Sequence, residues 1–248
     1  MPRFRSASVR SLVLAAVAPL VAACGAPEPG AFVHDPWQGL NRDVHSFNKG
    51  LDTVLVRPAA VVYEAATPTL VRHLATNGLN MLALPAVFVN QVLQADLEGA
   101  LSTMGRFGVN VLVGGVLLDP ATEFGLPRAR TDLGVTLAKW GVGEGPYVEL
   151  PFLGPANARD GAARVAQIAL DPFNFITGVP ALDALGPGTA VLGVIDLRAR
   201  NFELIDRVLY ESEDSYVTAQ TGWVQMRRRQ IAGGATAEAL PDVFDEDE

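Results

Sequence analysis

Much that a catalytic or nucleic-acid-binding chain carries is missing here. The 248 residues include one cysteine, three histidines, 7% aromatics and 19% charged residues. A single cysteine, Cys24, excludes an intrachain disulfide and any multi-cysteine zinc or iron–sulfur centre. His34, His45 and His73 are scattered, with no His-x-x-x-His or His-x-His pair, so metal-ligand spacing is lacking and no metal or other cofactor is expected. Cations are outnumbered: 19 Lys and Arg against 27 Asp and Glu give a formal charge of −8, the wrong sign for a nucleic-acid surface. No serine sits in a Gly-x-Ser-x-Gly elbow. Ser46 beside His45 has no local support as a catalytic pair, and both read as polar positions on an exposed helical face. The run Gly141-Val142-Gly143-Glu144-Gly145-Pro146 resembles a phosphate loop only superficially. It follows a predicted helix rather than a strand, lacks the Lys-Ser/Thr pair, and places Glu144 where phosphate would be repelled. No enzyme is expected. Long apolar runs are missing as well: beyond the first 23 residues the best, Val111–Leu118, has eight, bounded by Asn110 and Asp119. A membrane-spanning helix needs about 18 or more.

What is present is oily, with 49% hydrophobic residues, and it starts with an address. Arg3, Arg5 and Arg10 lead into the apolar run Leu12–Ala18, and Ala22-Ala23 stand directly before Cys24. This is the layout of a lipoprotein signal peptide over residues 1–23, with Cys24 as the lipidated first residue of the mature chain. Each buried methylene of an acyl chain contributes about 0.8 kcal/mol, and stable anchoring takes more than one chain. Cys24, diacylated on sulfur and acylated on nitrogen, has three. Gly25 is not the Asp that retains lipoproteins in the inner membrane, so the expected destination is the outer membrane, on its periplasmic side. Loss of Arg3, Arg5 and Arg10 with the leader leaves 16 bases against 27 acids, a formal charge of −11. Such a body is held on a membrane by apolar contact, not by charge.

Residues 24–36 read as a flexible tether, 37–230 as one helical domain, and 231–248 as a disordered acidic tail with six acids and no base. Trp37, Leu40, Val44, Phe47 and Leu51 recur at helical spacing, giving a narrow apolar stripe that either packs on the core or lies in the lipid interface. Further helices are predicted at 69–82, 85–94, 97–114, 131–139, 159–169, 189–210 and 214–230. Pro85 suits a first helical turn, and Thr131 and Asp214 suit N-caps. Strand signals are poor, so the fold class is mainly α. Gly99, Gly105, Gly108, Gly114 and Gly115 lie inside helical pattern at about 1 kcal/mol each relative to Ala, which points to close helix–helix approach. An oily helical body without a spanning helix suggests a protein set in or against one leaflet; the alternative is a compact soluble domain tethered by its lipid.

An ordered series of motifs runs through this body. Asp35-Pro36-Trp37-x-Gly39-x-Asn41-Arg42, Phe47-Asn48 and Val56-Arg57-Pro58 open it. Asn77-x-x-Asn80, Pro85, Asn90-x-x-Leu93-Gln94-x-Asp96 and Arg106-Phe107-x-x-Asn110 continue it. Asp132-x-Gly134-x-Thr136-Leu137 and Trp140-Gly141-Val142-Gly143-x-Gly145-Pro146-Tyr147-x-x-Leu150-Pro151-Phe152-x-Gly154-Pro155 are its strongest part, followed by Arg159-Asp160 and Asp214-x-Tyr216. Over about residues 35–230 the series resembles the MlaA (VacJ) outer-membrane lipoproteins. Ala95 departs from it, standing where a glycine is expected, and the acidic tail lies beyond the family core.

The resemblance implies a ring-like helical domain embedded in the inner leaflet of the outer membrane around a central amphipathic pore. It implies association with trimeric porins, removal of phospholipid misplaced in the outer leaflet, and delivery to a soluble periplasmic carrier of the MlaC kind, which maintains lipid asymmetry. Carried onto this chain, it sets Gly141, Gly143, Gly145, Pro146 and Tyr147, with Phe47 and Asn48, beside the pore and in control of its opening; a structural turn is the alternative for the glycine run. Arg42 and Arg57 are candidate phosphate contacts or, alternatively, structural ion-pair partners. Asn77, Asn80, Asn90 and Asn110 are expected to bond helix to helix or loop. The function class set against transport is a structural porin-associated lipoprotein that moves no lipid. Energetically a pore is apt: exposing about 30 methylenes of two tails to water costs on the order of 20 kcal/mol, and a headgroup crossing hydrocarbon costs several more.

Overall fold

The computed structural model describes residues 32–169 and 180–233. The signal peptide, Cys24, the first part of the tether and the acidic residues from 234 onward lie outside them. The chain begins with a helical stretch in which α1 (Gln38–Leu51) passes through a π turn (Asp52–Val56) into α2 (Arg57–Ala66). Pro58 explains the widened turn, since it donates no hydrogen bond and its ring displaces the carbonyl four residues earlier. Thr67, held extended by Pro68, ends α2.

Helix α3 (Thr69–Leu93) is 25 residues long and contains Pro85 in its interior, so the predicted break between two shorter helices does not occur. An interior proline costs about 3 kcal/mol. Burial of Met81, Leu84 and Val87 and the packing of α3 along α4 (Leu97–Leu112) outweigh it. Between the two helices Ala95 adopts φ +57, the left-handed conformation that glycine takes freely, at a cost of about 1–2 kcal/mol. Asp96 then caps α4 by accepting from the Gly99 amide at 3.0 Å. Gly99 is an enforced glycine: a Cβ there would lie 2.3 Å from Asp96 Oδ2 and 2.6 Å from Gln91 Nε2. Gly108 meets nothing within 4 Å, so close approach does not account for every glycine of this helix.

A short helix, α5 (Pro120–Glu123), precedes α6 (Leu133–Lys139). The cap of α6 is Asp132, which accepts from Val135 N at 3.0 Å, and not Thr131, whose hydroxyl instead accepts from Gln94 Nε2 at 2.7 Å. An antiparallel hairpin follows, β1 (Tyr147–Leu150) with β2 (Gly154–Asn157), in register Tyr147 to Asn157. Then come α7 (Ala158–Ala169), α8 (Pro180–Arg200), α9 (Phe202–Asp206) with a π turn over Arg207–Glu211, and α10 (Ser215–Gly233). The helix predicted over 189–210 is interrupted at Asn201, and the last helix runs to Gly233, past residue 230.

The molecule is inverted. Among the described residues seventeen polar or charged side chains are buried against fifteen apolar ones, and seven of those fifteen are alanines. On α1 the buried residues are Asn41 and His45, while Leu40 (65%) and Phe47 (49%) of the apolar stripe are exposed. Leu112 is 86% exposed, with Val113, Val116, Leu117 and Leu118 exposed beside it. His45 is therefore not on an exposed face, although Ser46 is. Running from the surface inward, Arg57, Asp206, Arg198 and Asp52 form one chain of ion pairs, and Asp132, Arg227, Asp160 and Arg159 another. Among the described residues no helix is long and apolar enough to cross a membrane.

Candidate functional site

Two features draw together the residues singled out in the sequence, and the first is the hairpin. One edge of β1 pairs with β2; the other is closed by side chains of α1. Asn41 donates to Tyr147 O at 3.1 Å and accepts from Glu149 N at 2.9 Å. Two turns along the same helical face, Asn48 donates to Leu150 O at 3.0 Å and accepts from Phe152 N at 2.9 Å. The two amides take the place of a third strand. Phe47 adds an edge-to-face contact with Phe152 at 5.3 Å between ring centroids. The proline-flanked turn between the strands holds Phe152 at φ +65 and Gly154 at φ +73.

The glycine run enters this hairpin and divides in two. Gly141 and Gly143 are exposed, with nothing within 4 Å of a Cβ at either. Gly145 (φ +66) would place a Cβ 3.0 Å from Ala158 Cβ, Pro146 is buried, and Tyr147 is 1% exposed. Tyr147 donates from its hydroxyl to Glu149 Oε2 at 2.5 Å, and burial beside that carboxylate pushes its pKa up. Its amide donates to His34 O at 2.7 Å, and Asp35 accepts from Asn41, Tyr216 and Gln220, so the end of the tether is docked against the body.

Arg42 and Arg57 are both engaged by carboxylates. Arg42 reaches Asp214 at 2.8 Å and lies over the Tyr216 ring; Arg57 reaches Asp206 at 2.7 Å and lies over Phe202. Asp214 also caps α10, accepting from the Tyr216 and Val217 amides.

The second feature is polar space inside the helices. A cavity of about 240 Å³ between α3, α4 and residues 119–132 is lined by Asn77, Asn80, Arg106, Asn110, Asp119 and Arg128, among others. A wider one of about 450 Å³ shares Ala129, Arg130, Thr131 and Gln230 with it. Asp119 organises the first: it accepts from Arg106 at 2.6 Å, Arg128 at 2.5 Å, Asn110 at 2.9 Å and Thr122 at 2.8 Å. Burial pushes its pKa up, but these donors outweigh burial and hold the carboxyl well below the usual range. Asn77 accepts from Arg128 and Asn90 accepts from Thr136, so Asn77, Asn90 and Asn110 make the helix-to-helix or helix-to-loop bonds expected of them. The glycine run, Phe47, Asn48, Arg42 and Arg57 line neither cavity. Arg106 and Asn110 stood in the motif series, but Asp119 and Arg128 carried no sequence signal beyond their charge.

One further arrangement has the order of a hydrolytic relay: Ser215 Oγ lies 3.1 Å from His45 Nε2, and His45 Nδ1 lies 3.4 Å from Glu149 Oε1. The first amides of α10, the donors an oxyanion would need there, are already held by Asp214.

These features define a class: helical proteins with buried charge and polar cavities inside and an oily outside, suited to a lipid environment. The model of the MlaA lipoprotein family matches residues 33–230, and the chain belongs to that family. It is 33% identical over 205 residues to the intermembrane phospholipid transport system lipoprotein MlaA of Escherichia coli K12, covering 81% of this chain and 79% of that protein. An uncharacterized protein of Rickettsia felis is 32% identical over 201 residues, covering 80% and 78%. A solved chain, from a structure addressing maintenance of bacterial outer membrane lipid asymmetry, superimposes with a TM-score of 0.67 at 30% identity, covering 80% of this chain and 98% of that one.

Proposed function

We propose that this chain is a phospholipid-transport lipoprotein of the outer membrane. Anchored through acylated Cys24, it sits in the inner leaflet, accepts phospholipids misplaced in the outer leaflet through a polar passage among its helices, and passes them to a soluble periplasmic carrier of the MlaC kind. It works beside a trimeric porin, whose wall offers misplaced lipid a route to the passage. Relatives named for intermembrane phospholipid transport support the class of activity. The observation that carries the reading in this chain is the inversion: exposed Leu, Val and Phe side chains suit acyl chains, while buried Arg, Asp and Asn suit a headgroup. Neither step requires a bond to be made or broken.

Within this reading the hairpin is the movable part. Asn48 and Phe47 latch its turn to α1; Gly141, at φ +87, closes α6, and Gly143, with open space around it, forms the compliant entry to β1. The anchored ends, Gly145 to Tyr147, serve as its fixed hinge. The experiment is deletion of the gene in its host and extraction of outer-leaflet phospholipid before and after complementation. A rise on deletion that the wild-type gene reverses is expected. Unchanged levels would leave only scaffolding at the porin.

A further inference from the structure

Three arginines, Arg106, Arg128 and Arg130, line the smaller cavity of a chain whose overall charge is negative. Their neutralisation is incomplete. Arg106 and Arg128 share the single carboxylate of Asp119, which leaves that trio one positive charge in excess. Arg130 is exposed, and among the described residues its guanidinium has no carboxylate partner. The other acid of the wall, Asp132, is held by Arg227, which also holds Asp160, itself paired with Arg159; that quartet is neutral. The wall therefore presents two surplus cations. Arg106 is 2% exposed, yet its Nε has no hydrogen-bond partner, and a buried donor without an acceptor is costly and uncommon.

We infer that this cavity receives the phosphodiester of a glycerophospholipid, met by Arg130 and Arg128 at the rim and by Arg106 at the floor. The inference deepens the transport reading and rests on it. The three guanidiniums are graded in depth, from exposed Arg130 through half-buried Arg128 to buried Arg106. Planar guanidinium forks match phosphate oxygens in pairs, and the diester carries a single negative charge. At about 240 Å³ the space lies below the range of about 300–1,000 Å³ for drug-sized ligands, so it suits a polar head and not its tails. The tails keep to apolar side chains exposed along α4, such as Leu101, Met104 and Phe107. Free inorganic phosphate offers the same oxygens, and the test separates the two sources.

The test uses the full acylated protein, purified in mild detergent, with three probes: dihexanoylphosphatidylglycerol, dihexanoylglycerol without phosphate, and inorganic phosphate. The phospholipid is expected to bind about tenfold or more tighter than the phosphate-free lipid, and Arg130→Gln to remove about tenfold of that binding while helical content and melting temperature stay put. Arg207→Gln, at an exposed arginine paired with Glu203 and outside both cavities, serves as the control and leaves binding unchanged. Equal binding of the two lipids, or no effect of Arg130→Gln, would overturn the inference. Arg130-dependent binding of inorganic phosphate without binding of the phospholipid would overturn the headgroup assignment. Complementation of the deletion strain keeps the two readings apart. Wild type that fails to restore asymmetry sinks the transport reading, whereas an Arg130→Gln variant that restores it fully and binds like wild type sinks this inference alone.

Discussion

Asn48→Ala tests the latch on the hairpin most directly. The substitution removes the donor to Leu150 O, the acceptor for Phe152 N and a weaker contact to Glu149 Oε1 at 3.3 Å. Simple addition would overstate the loss. Phe152 is exposed, so its freed amide finds water at little net cost; the half-buried Leu150 carbonyl keeps its longer bond from Leu153 N at 3.3 Å and is left partly short. One hydrogen bond is worth about 0.5–1.5 kcal/mol net, and an orphaned buried partner about 1–3 kcal/mol. The Phe47–Phe152 contact survives and retains about 0.5–1.5 kcal/mol. A local loss of about 1–2 kcal/mol results, small beside a global stability of about 5–15 kcal/mol. The expected signature is local: amide exchange over residues 150–154 accelerates about tenfold, α3 and α4 keep their protection, and outer-leaflet phospholipid changes in the complemented strain. Uniform acceleration across the whole chain would refute a latch and make Asn48 a general structural residue. Altered lipid levels with unchanged exchange at 150–154 would place the effect of Asn48 elsewhere.

Four other expectations follow from the geometry. Asp119→Asn leaves Arg106 buried without its counter-charge and should cost about 3–5 kcal/mol, read as a lowered melting temperature by circular dichroism in detergent, whereas Arg207→Gln at an exposed pair should cost under about 1 kcal/mol. Ala95→Gly relieves the left-handed strain between α3 and α4 and should raise stability by about 1 kcal/mol in the same assay. Asp119 and Asp132 have pKa values lowered in the folded state. Their contribution is fully present above the unfolded carboxylate value of about 3.9 and is lost as pH falls through the folded values, so melting temperatures should decline below about pH 4 and stay flat between 5 and 7. Gly145→Leu, at φ +66 and 3.0 Å from Ala158, should impair folding, while Gly143→Leu, in open space, should fold normally and alter lipid passage; equal melting temperatures for the two would count against the division of the glycine run.

Helical periodicity revealed the class of fold, and the motif series its family, because both are written in residue types. Orientation was less legible. Trp37, Leu40, Val44, Phe47 and Leu51 mark one face of α1, but periodicity says only that the face is apolar, not whether protein or lipid lies against it; Asn41 and His45 turned out to be the buried residues. Pro85 read as a helix start because local rules weigh the lost hydrogen bond and cannot weigh the packing of α4 beside it. The hairpin was invisible for a related reason. Gly154-Pro155-Ala156-Asn157 has no strand propensity, and what holds it is the Tyr147 strand, itself closed on its other edge by Asn41 and Asn48 from more than a hundred residues earlier. Arg42 and Arg57 were recognisable as functional or structural cations, and their partners Asp214 and Asp206 are too distant in sequence to have decided between those roles. The Asp119 cluster was only half legible, since a carboxylate bounding an apolar run gives no sign that two arginines converge on it.

A chain that buries eight of its charged side chains and turns many of its leucines outward departs from the usual logic of folding in water. For an ordinary protein, collapse hides grease from solvent; here the finished shape displays it, and the force that normally drives collapse would work against completion in an aqueous compartment. In the leaflet proposed for this chain, acyl chains take the place of water against that surface, and the bilayer then favours the native shape.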